Sequence, residues 1–153
     1  MVSISMRAIS LWVLLVLPAF CQPSKWPGRL QIDVTSKLPD VRDAVTSYLS
    51  REVRSLNDVI LTDKEPQFTL HVIVVLVAAD TDNRLGYAIS SVLVFHESPD
   101  TGTEGSVRII GHRLVLTKST SLDDVNETCK QEITVIDTNV FGPIRKLAAG
   151  QPK

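Results

Sequence analysis

The chain has 153 residues, with 16 Lys or Arg against 17 Asp or Glu and a formal charge of −1. That balance is far from the basic footprint of a nucleic-acid binder. Aromatic residues, at 5% of the chain, are too few for a platform that stacks bases or sugars.

Residues 1–21 divide into three parts. "MVSISMRA" carries one charge, Arg7; "ISLWVLLVLPAF" is apolar; Cys21 is followed by polar "QPSK". The apolar run is about a dozen residues, short of the roughly 20 that span a bilayer as a helix. Small Ala19 and Cys21, at the first and third places of Ala19-Phe20-Cys21, complete the pattern of a cleavable secretory signal. A buried amino-terminal helix is the alternative, and Pro18 with the abrupt turn to polar residues argues against it. Cleavage after Cys21 leaves Gln22 first. A bacterial lipoprotein would instead be cut before Cys21 and acylated on it, but bulky Phe20 stands where that signal has a small residue. The expected product is therefore exported, periplasmic or secreted, with an outer-membrane lipid anchor on Cys21 as the other route.

Removing residues 1–21 takes 21 of the 153 residues and one of the 16 basic side chains, leaving 132 residues with a formal charge of −2. That is one ordinary domain, able to bury a core without metals or disulfides. Cys129 is then unpaired, which does not suit a disulfide scaffold. Residues 22–29 read as a lead segment and 30–149 as a single domain.

In "RLQIDVT", Leu30, Ile32 and Val34 alternate with polar residues, which predicts a half-buried strand. Apolar positions 41, 45, 48, 49, 53 and 56 lie on one helical face, with Asp40 as the expected N-cap. "VILTD" predicts a short strand parallel to the first or near it. "QFTLHVIVVLVAAD" is strand-like and apolar at both parities from Val72 to Val77, as in a strand covered on both sides or one that forms an interface. "GYAISSVLVFHE" and "VRIIGHRLVLTK" continue it as a meander, with Gly111 marking a bulge. Ser121 caps a closing helix whose stripe runs through Val125, Cys129, Ile133, Ile136, Val140, Ile144 and Leu147, and Gly142-Pro143 should kink it. The prediction is an α+β fold: a mixed, mainly antiparallel sheet of about five strands with two helices packed on one face, in the order β-α-β-β-β-β-α. No internal repeat or low-complexity segment interrupts it.

Chemistry has few candidates. His71, His96 and His112 lie in three successive predicted strands. A turn about residues 82 and 83 would set His71 opposite Val94 with His96 as its diagonal neighbour, roughly 7 Å away. A zinc site needs three or four converging ligands, so His112 joins only in the right register. Otherwise these are polar side chains on an outer sheet face. Cys129, on the apolar stripe of the last helix, reads as a small core hydrophobe. "DTDN" at 80–83 lacks the glycine and the glutamate of a calcium loop, and a hairpin turn explains it better. Asn126 opens a glycosylation sequon, "NET", within the predicted helix. There is no nucleophile elbow, no H-E-x-x-H and no phosphate-binding glycine loop, so no catalytic residue and no cofactor are assigned.

The order of elements in "VRDAVTSYLSREVRSLNDVILTD", "FTLHVIVVLV", "YAISSVLVF", "HRLVLTKS" and "VIDTNVFGPIRKL" resembles the amino-terminal domain of TolB and the related CsgG-type envelope domain. The resemblance covers most of residues 30–148 and contains no diagnostic motif, so no functional residue is carried over. It implies a non-catalytic binding or assembly module of the bacterial cell envelope, acting through a protein partner or self-association. Two alternatives remain at this point. One is a secreted enzyme or metal-binding protein using the three histidines with Asp80, Asp82 or Asp100. The other is a small-molecule carrier, which needs a sizeable apolar cavity between sheet and helices.

Overall fold

The structure is a computed structural model and describes residues 26–80, 83–97 and 106–150. The alternation at Leu30, Ile32 and Val34 becomes strand β1 (Gly28–Ser36), with these three side chains turned to the core. Helix α1 (Pro39–Arg54) follows, burying Val41, Val45, Leu49 and Val53. The expected cap at Asp40 needs correction. The helix starts two residues earlier than that cap implies, at Pro39, whose fixed φ suits a first helical position. Leu38 is the N-cap, without a side-chain bond, and Asp40 lies in the first turn, where its charge faces the positive end of the helix dipole.

Strand β2 (Val59–Leu61) lies parallel to β1 on one side, and β3 (Phe68–Ala78) lies parallel to it on the other. Strands β4 (Arg84–His96) and β5 (Val107–Leu116) continue antiparallel, giving the order β2-β1-β3-β4-β5. The fold is the predicted α+β arrangement, a mixed five-stranded sheet with its helices on one face. A bulge does fall beside Gly111. Leu93 pairs with Gly111 and Val94 with Ile109, so Ile110 is the extra residue.

Helix α2 (Leu122–Ile136) is capped as expected, with Ser121 Oγ accepting the Asp123 N–H at 3.1 Å. It buries Val125, Cys129, Ile133 and Ile136. The kink expected at Gly142-Pro143 takes the form of a π-helical turn, Asp137–Phe141, before the short helix α3 (Gly142–Ala148). Pro143 has no N–H, and its ring crowds the carbonyl four residues back. The backbone widens instead, and the Gly142 N–H reaches the carbonyl of Asp137, five residues earlier.

That turn aims Phe141, fully buried, at Phe68 and Trp26, with ring centroids 5.4 and 5.8 Å away. Trp26 also meets Phe68 edge-on. Arg145 on α3 ties the same region to the turn before β2, donating to both Asp58 oxygens and lying 2.7 Å from Asp137 Oδ1. The bond to Asp58 is the main cause holding its guanidinium above its usual pKa.

Phe141→Ala is expected to cost about 3–5 kcal/mol, because the cavity lies among rings that cannot collapse into it. Urea unfolding checks this, as a midpoint that falls while the slope stays constant.

Candidate functional site

The two faces of the sheet are unlike. Toward the helices, Leu30, Phe68, Leu70, Val72, Ile89 and Leu93 are buried in one cluster with the stripes of α1 and α2. On the opposite face no helix packs among the described residues, and large apolar side chains stand out. Ile73 and Val75 on β3 are 52% and 55% exposed, and Ile109, Leu114 and Leu116 on β5 are 67%, 62% and 66% exposed. The register sets them in rows across the strands. Thr35, Ile73, Ser90 and Leu114 form one row, and Val75, Ala88 and Leu116 the next. The double-parity run at Val72–Val77 therefore belongs to a central strand that the described residues cover on one side. Mixed parity was the available signal for this face, because a strand with one solvated face normally alternates.

A third row reads Asp33, His71, Val92, His112. His71 pairs with Val92 and not with Val94, so the expected register is corrected by two residues. The hairpin turns earlier than assumed, with the Ala79 N–H donating to the Asn83 carbonyl, and the ladder contains a bulge between Val77 and Ala78. An even shift keeps His71 on its face. All three histidines share the helix-free face, and each has its own partner. His71 Nδ1 lies 3.0 Å from Asp33 Oδ2, and because a carboxylate only accepts, this nitrogen carries the proton. His96 Nε2 lies 2.8 Å from Thr69 Oγ1, and His112 Nε2 lies 3.3 Å from Ser90 Oγ. His71 and His112 stand two strands apart, about 9–10 Å, and His96 is four residues along β4 from their row, about 13 Å. Among the described residues, no three His, Cys, Asp or Glu side chains gather to hold a metal ion.

The remaining candidates are scattered. Asp80 closes the hairpin turn by accepting the Asn83 N–H at 2.8 Å. Asp82, Asp100, Ala19 and Cys21 lie outside the described residues. Asn126 accepts from Arg51 at 2.6 Å. The interface between sheet and helices is tightly packed, and a void there of about 10 Å³, lined by Leu49, Val72, Cys129 and Glu132 among others, holds no ligand-sized space. A larger cleft of about 460 Å³ opens where β1 ends and β3 runs on, beside Lys37, Leu38, Ile73 and Val75.

Cys129 is buried, and its thiol is pushed up to about 12, first by desolvation and then by the charge of Glu132. It is a core side chain without thiolate character at neutral pH. Below pH 9 the proton is bound in both folded and unfolded chains. Above that value the unfolded chain ionises first, and the stability contributed by the buried thiol is lost as pH rises toward about 12. Urea unfolding at rising alkaline pH should therefore show a steeper loss of stability in the wild type than in Cys129→Ala. In the folded protein the thiol should stay unreactive to a maleimide.

The site is thus an open apolar sheet face with a polar central row, carried by an α+β domain with helices on one side. No family model matches the chain, and no curated protein matches it. Among solved structures it is similar to a PelC dodecamer variant from Paraburkholderia phytofirmans (11% identity, 74% of this chain and 87% of that one, TM-score 0.46). It is also similar to a Xanthomonas campestris protein of the DUF330 family (14%, 89% and 93%, TM-score 0.39). A minor lipoprotein from Acinetobacter baumannii is a third (15%, 81% and 94%, TM-score 0.25). These three are neither TolB nor CsgG domains, and the likeness to them is one of fold alone. Among the described residues, no helix is long and apolar enough to cross a membrane.

Proposed function

We propose that this chain is an exported, non-catalytic binding or assembly module of the bacterial cell envelope, and that it contacts protein through the helix-free face of its sheet. In this reading residues 1–21 are the export signal, 22–29 a lead and 30–149 the working domain. The observation that carries it is the apolar relief of that face. Covering the exposed half of a Val, Leu or Ile side chain contributes about 1 kcal/mol, so five such side chains offer roughly 5 kcal/mol before the cost of association. Ile73, Leu114, Val75 and Leu116 align in adjacent rows as one patch, with Ile109 beyond the polar row, the kind of surface that marks a protein contact.

Two measurements test the reading. Mass spectrometry of the mature protein should find Gln22 first. A first residue Cys21 carrying acyl mass would establish the lipid-anchor route, and an intact Met1 would overturn export. Second, a photoreactive residue replacing Leu114 should give protein adducts in the expressing cells, while the same residue replacing Asp43, on the solvent side of α1, should not. Equal labelling from both positions, or none from either, would remove the sheet face as the contact surface.

A further inference from the structure

We infer that the occupant of the helix-free face is a second copy of this chain, packed sheet against sheet about a two-fold axis that runs along the strands between β3 and β4. The inference rests on the proposed reading of that face as a protein contact.

The sheet edges direct the partner to the face. On β5, Arg108 and Arg113 point away from the open face, toward Glu97 and Glu132, and the bulge at Ile110 breaks the ladder. At the other edge β2 is only three residues long, and charged Asp63, Lys64 and Glu65 follow it. Charge, bulge and shortness are the devices that stop a sheet from growing sideways. The exposed apolar side chains must then be covered from above.

Area agrees with a copy of equal size. Strands β1, β3, β4 and β5, about 4.8 Å apart and roughly ten residues long, outline about 600 Å² before side-chain relief is added. A stable interface takes roughly 800 Å² from each partner. Two such sheets stack about 10 Å apart with their strands nearly aligned.

Hydrogen-bonding complementarity agrees as well, and it selects the axis. The row Asp33, His71, Val92, His112 crosses the sheet at one level, with the acid on β1 and an imidazole on β5. The two-fold axis between β3 and β4 lays β5 of one copy over β1 of the other at that level. Each His112 then faces the partner's Asp33, and the contact occurs twice. In the next row but one, Leu116 comes over the position beside Val75 that β1 has vacated. That position is the cleft of about 460 Å³ walled by Thr35, Leu38, Ile73 and Val75. An apolar recess of the face thus receives one of its most prominent side chains.

Sedimentation equilibrium of the purified protein at roughly 100 µM should give twice the chain mass, consistent with a micromolar dissociation constant. Ile73→Asp, on a central strand and away from both edges, should weaken the dimer by about tenfold or more with an unchanged circular dichroism spectrum. Val135→Asp, on the exposed side of α2, should leave it intact. Because Ile73→Asp could also disturb folding, a second measurement reads the geometry directly. Asp33→Cys protein is mixed with His112→Cys protein and treated with a short bismaleimide, the buried Cys129 being shielded. Linkage of 33 to 112 should outnumber 33 to 33 and 112 to 112. A monomeric wild type overturns the inference, and so does a dimer whose links favour like positions or which survives Ile73→Asp. A monomer that still yields Leu114 adducts to a different protein in cells overturns the second copy alone and leaves the protein-contact reading standing.

Discussion

Val45, Leu49, Val53, Val125, Cys129 and Ile133, pressed onto Leu30, Leu70, Val72 and Leu93, make the contact on which the other features depend. Two amphipathic helices present two stripes, and two stripes cover one side of a five-stranded sheet. Everything asymmetric about the molecule follows from that count. The covered side is apolar and close-packed, with a polar insertion where Ser91 donates to Glu132 and Glu132 meets Arg113. The uncovered side keeps hydrogen-bonding residues in its central row and leaves large side chains standing in the rows beyond it.

The closing end of the chain shows how a local defect serves this packing. A straight helix through Pro143 would lose a backbone bond and collide with its own carbonyl. The π turn relieves the collision and delivers Phe141 into the ring cluster of Trp26, Phe68 and Phe95. Arg145 then fastens the short last helix to Asp58, on the far side of α1. Aromatic residues are scarce in this chain, and four of them meet at this one corner.

The sequence made the fold legible because each element carries its own period. Positions 41, 45, 49 and 53 and positions 125, 129, 133 and 136 announce two helical faces, and Leu30, Ile32 and Val34 announce a strand. Phe141 escaped that reading because it lies off the helical stripe and reaches the core only through the π turn. Register was beyond reach for a related reason. One unpaired residue near Leu85 and an earlier turn move His71 from Val94 to Val92, and nothing in the alternation marks either event. The open face was half legible. Double-parity apolar strands allowed either a second layer or an interface, and among the described residues both long helices lie on one side.

Ile110 sets the phase of the strand that carries it. Before it, the outward side chains of β5 are Val107 and Ile109; after it they are His112, Leu114 and Leu116. One inserted residue has shifted the frame of a two-residue repeat, so odd positions face out on one half of the strand and even positions on the other. The shift lets a single strand show aliphatic side chains outward at both ends while still turning Arg113 inward to Glu132. A chain shortened by that one residue would keep its composition and its strand propensity. It would nonetheless invert half of the strand, sending Arg113 to the open face and the leucines against the helices.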